Sequence, residues 1–175
     1  MDESKAKSRK RSAWLWGVAA AVALVTIFLD QWSKMWVRSH LRPLESIELI
    51  PGTGRIFTIT RSSNTGAAFG MFKGGGAFFI VVTVLVIAAI LYYAWSLRKM
   101  NWMVAVSLGL ELGGALGNFI DRLRFGRVTD FIDFHFWPIF NFADTAIVIG
   151  VIIMGYLFLR EETLGEDPDP AHEVR

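Results

Sequence analysis

The chain has 175 residues, 53% of them hydrophobic, with 18 basic against 16 acidic side chains and a formal net charge of +2. A mean hydropathy of +0.42, with apolar runs longer than a soluble core of this size requires, excludes an ordinary globular domain and points to a multi-pass membrane protein. The absence of cysteine excludes disulfides, a thiolate nucleophile and thiolate-bound metal, and the clustering of bases at Lys5, Lys7, Arg9, Lys10 and Arg11 fits a membrane-surface anchor rather than a nucleic-acid partner.

In chain order, residues 1–13 form a basic leader and the first span runs from Trp14-Leu15-Trp16 to Leu29, continuing as a more polar helix through Asp30, Lys34 and Trp36. A basic leader before an apolar stretch has the shape of a secretory signal. Asp30-Gln31-Trp32-Ser33-Lys34 stands where a small-residue cleavage site would be needed, so the helix is expected to be retained. Residues 44–61 break the pattern. Ile56-Phe57-Thr58-Ile59-Thr60 is β-rich and follows the turn signal Pro51-Gly52-Thr53-Gly54, which predicts a small β element outside the membrane. Asn64-Thr65-Gly66-Ala67-Ala68-Phe69-Gly70 reads either as an ordinary connector or as backbone kept bare for close approach.

Ala77 to Trp95, Trp102 to Phe119 and Phe142 to Leu159 supply three further spans, each near the ~20 residues that cross hydrocarbon. Four spans put both termini on one side, and the basic leader with Arg98-Lys99 makes that side the cytoplasm. Tryptophans 14, 16, 36, 102 and 137 sit at span ends as an interfacial belt. Residues 161–175, rich in Glu and Asp with Pro168 and Pro170, read as a disordered acidic tail.

Charge inside a bilayer is costly, so acids at span edges suggest function. Asp130, in Val128-Thr129-Asp130-Phe131, and Asp144, in Asn141-Phe142-Ala143-Asp144, lie on separate elements that a loop can bring together. Two carboxylates held close share one proton, so one donates a proton while the other activates water. Asp144 opens the fourth helix, where the dipole favours its ionised form. Asp133 shares spacing with Asp130 and is expected to be structural.

Asp30 and Lys34 have the spacing of an intrahelical ion pair; Ser33 beside Lys34 raises a Ser-Lys hydrolase, against which adjacent helical positions point apart. Gly109, Gly113 and Gly117 recur every fourth residue as a close-packing face, Glu111 is expected to face the interior, and Asn118, Asp121 and Arg122 cluster near the helix end as an ion pair or as site support. Two other classes compete. A transporter would string Asp30, Glu111, Asp121, Asp130 and Asp144 along an ion path, though the halves show no repeat. A metal hydrolase would need His135 with Asp130, Asp133 and Asp144, without a recognised ligand spacing. No cofactor is expected.

The five blocks Asp30-Gln31-Trp32-Ser33-Lys34, Asn64-Thr65-Gly66-Ala67-Ala68-Phe69, Gly113-Gly114-Ala115-Leu116-Gly117-Asn118-Phe119-Ile120-Asp121-Arg122, Val128-Thr129-Asp130-Phe131 and Asn141-Phe142-Ala143-Asp144, in that order, resemble those of the lipoprotein (type II) signal peptidases across residues 14 to 160. The resemblance implies a bacterial membrane aspartyl protease: a mainly α, four-transmembrane-helix bundle with a small extracytoplasmic β cradle between the first two helices. It implies removal of the signal peptide from diacylglyceryl-modified prolipoproteins, cut on the amino side of the lipidated cysteine at the outer face of the cytoplasmic membrane. Asp130 and Asp144 take the catalytic positions. Asp30, Lys34, Asn64, Gly66, Asn118, Asp121, Arg122, Asn141 and Ala143 fall on support and substrate-contact positions. Membrane lipids, a monomeric state and globomycin sensitivity are implied in the same way. Thr129 stands where the family often has an aliphatic residue, and Phe142 replaces a smaller Val or Ile.

Overall fold

A computed structural model describes residues 3–65, 76–96 and 100–165. The expectations placed on Gly66, the Arg98-Lys99 link and the last ten residues of the tail lie outside these. Four helices and three strands follow one another as α1 (Glu3–His40), β1 (Ser46–Ile47), β2 (Thr58–Asn64), α2 (Gly76–Ser96), α3 (Trp102–Phe125), β3 (Val128–Asp133) and α4 (Phe142–Gly165). The stretches Ala13–His40, Ala77–Ser96, Trp102–Phe125 and Phe142–Arg160 are long and apolar enough to cross a bilayer. The protein is therefore a multi-pass membrane bundle. Helix α4 runs through the first five residues of the expected acidic tail, a stretch with no proline to stop it.

Helix α3 is the most enclosed span and packs against the other three. Its small residues make this possible. A Cβ built on Gly109 would meet the Ala19 carbonyl oxygen and Val22 at 2.7 Å, and one on Gly113 would meet the Ala23 carbonyl and Thr26 at 2.7 Å, so this stripe is where α1 lies closest. Gly114 faces α4 instead, where a Cβ would meet the Ala143 carbonyl oxygen at 2.5 Å. The helix is bounded by local chemistry. The Asn101 side chain accepts from the Val104 N–H at 2.9 Å, and Gly126, in the left-handed conformation at φ 68, returns its N–H to the Arg122 carbonyl.

The strands form one antiparallel sheet in the order β1-β2-β3 at the end of the bundle where α1 and α3 finish. The strand signal read over residues 44–61 accounts for two strands. The third, Val128–Asp133, comes from after α3 and carries the block read above only as a motif. Pairing runs Thr58 to Asp133 and Ile59 to Ile132, then slips by one residue to Ser62 with Asp130 and Asn64 with Val128. Side chains alternate across a strand, so this bulge reverses which face the end of β2 presents. Beyond β3 the chain doubles back, with Phe140 exchanging backbone hydrogen bonds with Ile132 at 2.8 and 3.2 Å. Val37, Leu41, Ile59 and Phe131 form the core joining α1 to the sheet, with Trp36, Ile47 and Phe142 packed on it.

Candidate active site

Asp30, Asp121, Asp130 and Asp144 gather at this sheet end. Asp30, Lys34, Asn118, Asp121, Asp130 and Asn141 are all buried. Asp144 occupies the third position of α4, where a reciprocal capping box holds it: Asn141 Oδ1 accepts from the Asp144 N–H at 3.0 Å, and Asp144 Oδ2 accepts from the Asn141 N–H at 3.2 Å. The run Asn141-Phe142-Ala143-Asp144 thus starts a helix and presents a carboxylate in one device. The Ala143 N–H, also free in the first turn, donates to Asp30 Oδ1 of α1 at 3.1 Å.

Asn141 links the two elements. Its Nδ2 donates to Asp130 Oδ1 at 2.7 Å and to Asn118 Oδ1 at 3.1 Å. Asn118 in turn donates through Nδ2 to Asp144 Oδ1 at 2.8 Å. Lys34 sets the sense of these amides. Its ammonium can only donate, and Nζ meets Asn118 Oδ1 at 2.8 Å, which turns the Asn118 amino group toward Asp144. Lys34 is also paired with Asp30 at 2.8 Å, the ion pair anticipated from their spacing. Ser33 is not its partner, because the Ser33 hydroxyl donates to the Asp30 carbonyl.

Asp130 and Asp144 are close enough to repel one another electrostatically, and burial is the larger cause that pushes the Asp130 carboxyl from 3.8 up to about 6, against hydrogen bonds from Asn141 and Asn64. The Asn64 contact depends on the bulge in β2. In the register of Thr58 and Ile59, Asn64 would point to the opposite face from Asp130. Arg122 lies within electrostatic reach of Asp144, Asp130 and Asp121. Its Nη1 donates to Thr83 of α2 at 3.4 Å, and its guanidinium stands over the Phe79 ring.

Asp121 turns away from Arg122 toward α1 and β3. It accepts from Arg38 Nη1 at 3.4 Å, from Gln31 Nε2 at 3.3 Å and from the Thr129 N–H at 2.9 Å. The Asp121-Arg122 pair considered from spacing is thus replaced by links to other elements. Arg38 and Gln31 were missed in the sequence, although Asp30, Lys34 and Arg38 repeat at every fourth residue and trace one stripe of α1. The Thr129 hydroxyl accepts from Arg38 at 3.0 Å. Asp133 stands apart, accepting from Thr60 at 2.8 Å and from the His135 N–H at 2.8 Å. Glu111 lies deeper, accepting from Ser107 at 3.1 Å and packed on Gly150 of α4. Among the described residues, no three His, Asp or Glu side chains are grouped to hold a metal.

A family model described as Signal peptidase (SPase) II matches residues 22–160. The lipoprotein signal peptidase of Halothermothrix orenii is 43% identical over 145 residues, covering 83% of this chain and 97% of the relative. That of Moorella thermoacetica is 45% identical over 148 residues, covering 84% and 97%. A solved bacterial membrane enzyme, determined by the in meso method at 2.3 Å resolution, superposes with a TM-score of 0.77 at 32% identity, covering 87% of this chain and 94% of its own. A second, at 1.9 Å resolution, gives a TM-score of 0.75 at 34% identity over 83% and 94%. Family match, sequence identity and superposition agree, and the chain belongs to the signal peptidase II family of membrane proteases.

Proposed function

We propose that the chain is an aspartyl endopeptidase that removes the signal peptide from diacylglyceryl-modified prolipoproteins, cutting on the amino side of the lipidated cysteine with Asp130, Asp144 and a water molecule. The observation that carries this reading is the bond from Asn141 to Asp130 at 2.7 Å beside the capping box that holds Asp144. It joins an acid with a raised pKa to an acid at a helix N-terminus, where negative charge is favoured. Asp144 takes the proton of the water as its oxygen bonds to the scissile carbonyl carbon, and protonated Asp130 donates to the carbonyl oxygen. The proton then held by Asp144 passes to the leaving amide nitrogen as the C–N bond breaks and the carboxyl product returns the proton of Asp130.

Asn64 and Asn118 are engaged with Asp130 and Asp144, so we assign them to holding the acids rather than to contacting the scissile carbonyl. Asp30, Lys34, Asp121, Arg122 and the Ala143 N–H support the same frame, with Gly66 retained as a substrate-contact candidate. The peptidase unit spans residues 14 to 160, works as a monomer and lies in the cytoplasmic membrane with both termini cytoplasmic and the site at the outer side. The apolar substrate arrives sideways, since an acyl chain contributes ~0.8 kcal/mol per buried CH₂ to binding.

The test is cleavage of a purified diacylglyceryl-prolipoprotein in detergent with EDTA by wild type, Asp130→Asn, Asp144→Asn and Asp133→Asn, with folding checked for each. Cleavage by wild type and Asp133→Asn alone is expected. Folded Asp130→Asn or Asp144→Asn that turns over at the wild-type rate overturns the assignment.

A further inference from the structure

The loop joining β1 to β2 and the loop joining β3 to α4 carry apolar side chains that the fold leaves uncovered. Leu49, Ile50 and Ile56 on the first are 57, 61 and 66% exposed, and Phe136 and Trp137 on the second are 81 and 63% exposed. Arg55 is the only charged residue from 49 to 57, and His135 the only titratable one from 134 to 140. The carboxylate of Glu48, just before the first tip, is turned back onto the Gly52 N–H at 2.9 Å. A contiguous apolar surface of this kind marks an interaction site.

The two loops are one lobe. His135 Nε2 meets the Gly54 carbonyl at 3.1 Å, and the Phe57 ring lies 5.3 Å from that of Phe134, which also contacts Phe136 and Phe140. His135 adopts a left-handed backbone at φ 62, a costly conformation for a residue with a Cβ. Asp133 holds it there by accepting its N–H at 2.8 Å. Phe136 emerges from that turn uncovered.

Continuity with α1 identifies what lies against the lobe. Leu49 lines a shallow apolar groove of about 300 Å³ together with Trp32, Trp36 and Val37 of α1 and Phe131 of β3. Trp32 is eight residues before the end of α1, which at 1.5 Å per residue places it about 12 Å below that end. The face it belongs to is bare, with Phe28, Trp32 and Met35 more than half exposed on a membrane-spanning helix. A loop that shares a groove with Trp32 descends beside the span instead of standing clear of it.

We infer that this lobe is a membrane-docking surface: the tips at Leu49-Ile50 with Ile56, and at Phe136-Trp137, are embedded in the interfacial layer of the leaflet on the sheet's side, and the partner is the lipid bilayer. Trp137 suits the headgroup level, and Arg55 suits the phosphates. The inference rests on the spans and the exposed loops and does not depend on the catalytic assignment. Its consequence is that the sheet bearing Asp130 sits at a fixed depth, open to the same leaflet.

The chain has no cysteine, so single cysteines at Ile50, Ile56 and Trp137 can each carry one nitroxide. In phosphatidylcholine nanodiscs, power saturation compares collision with oxygen and with a water-soluble nickel chelate, using a label at Leu24 in α1 as the membrane reference. All three loop labels are expected to collide more with oxygen than with the chelate, at shallower depth than Leu24. Chelate-dominated collisions at both Ile50 and Trp137 overturn the inference, as does protection from both reagents, which signals a protein partner. Three sites on two loops keep the test available if one variant misfolds.

Discussion

Asn141 donates its side-chain amide to Asp130 at 2.7 Å while its own backbone N–H is held by the carboxylate of Asp144. One residue therefore caps a helix and fixes the spacing of two acids, and the two duties can be separated by substitution.

Asn141→Ser keeps an oxygen able to cap α4 but loses the amide donor to Asp130. We expect a thermal midpoint close to wild type and a 10- to 100-fold loss of kcat. Asn141→Ala removes the cap as well, which costs about 1 kcal/mol of stability. Thermal unfolding in detergent alongside cleavage kinetics distinguishes them, and equal kcat for Asn141→Ser and wild type refutes the bridging role.

The raised pKa of Asp130 gives a signed pH dependence. The native protein holds this proton more tightly than the unfolded chain between 3.8 and about 6, so stability from this group is full below 3.8, declines as pH rises through about 6 and is constant beyond. Asp130→Asn has no proton to lose. Its midpoint should gain on wild type steadily from pH 4 to 6.5 and then hold a constant lead. A lead that is the same at every pH excludes the raised pKa.

Asp30 is buried with its charge divided between Lys34 and the first turn of α4. Asp30→Ala leaves the buried Lys34 ammonium with only Asp121, at 3.9 Å, as a counter-charge and orphans the Ala143 N–H, a loss at the lower end of about 3–5 kcal/mol. Asp30→Ala with Lys34→Met removes the weakly compensated charge and should recover part of that loss. If the double variant is no more stable than Asp30→Ala, the pair is not what holds this end of α1.

Glycines on α3 should differ sharply from one on the outer face of α1. A Cβ at Gly114 would meet the Ala143 carbonyl at 2.5 Å, and one at Gly117 would meet the Asp30 carboxylate at 2.6 Å. Gly114→Ala and Gly117→Ala should each lower stability by about 1–3 kcal/mol, with loss of cleavage. Gly17→Ala meets nothing within 4 Å and should be neutral or stabilising by up to ~1 kcal/mol. Ranking the three midpoints checks the packing.

The four spans and the two acids were legible because hydropathy and intramembrane charge are strong local signals. Lys34 with Asp30 was legible for the same reason, being a one-turn relationship. The third strand was not, because Val128–Asp133 acquires its partner from β2, across two intervening helices. Nor was the role of Asn64, which follows from a one-residue slip in that pairing rather than from its own neighbours. Arg38 was hidden by its surroundings: a base near the end of a span reads as an interfacial anchor until Asp121 and Thr129 are seen beside it.

The pairing of β2 with β3 also orders events during synthesis. β2 emerges after α1, flanked on one side only by the two residues of β1, and its other edge stays open until α2 and α3 have been made and Val128–Asp133 follows. Asn141 and Asp144 come later still. A chain interrupted at any earlier point lacks Asp144, and one interrupted before Asn141 lacks the linking amide as well, so the two acids cannot be brought together until the start of the last span has been made.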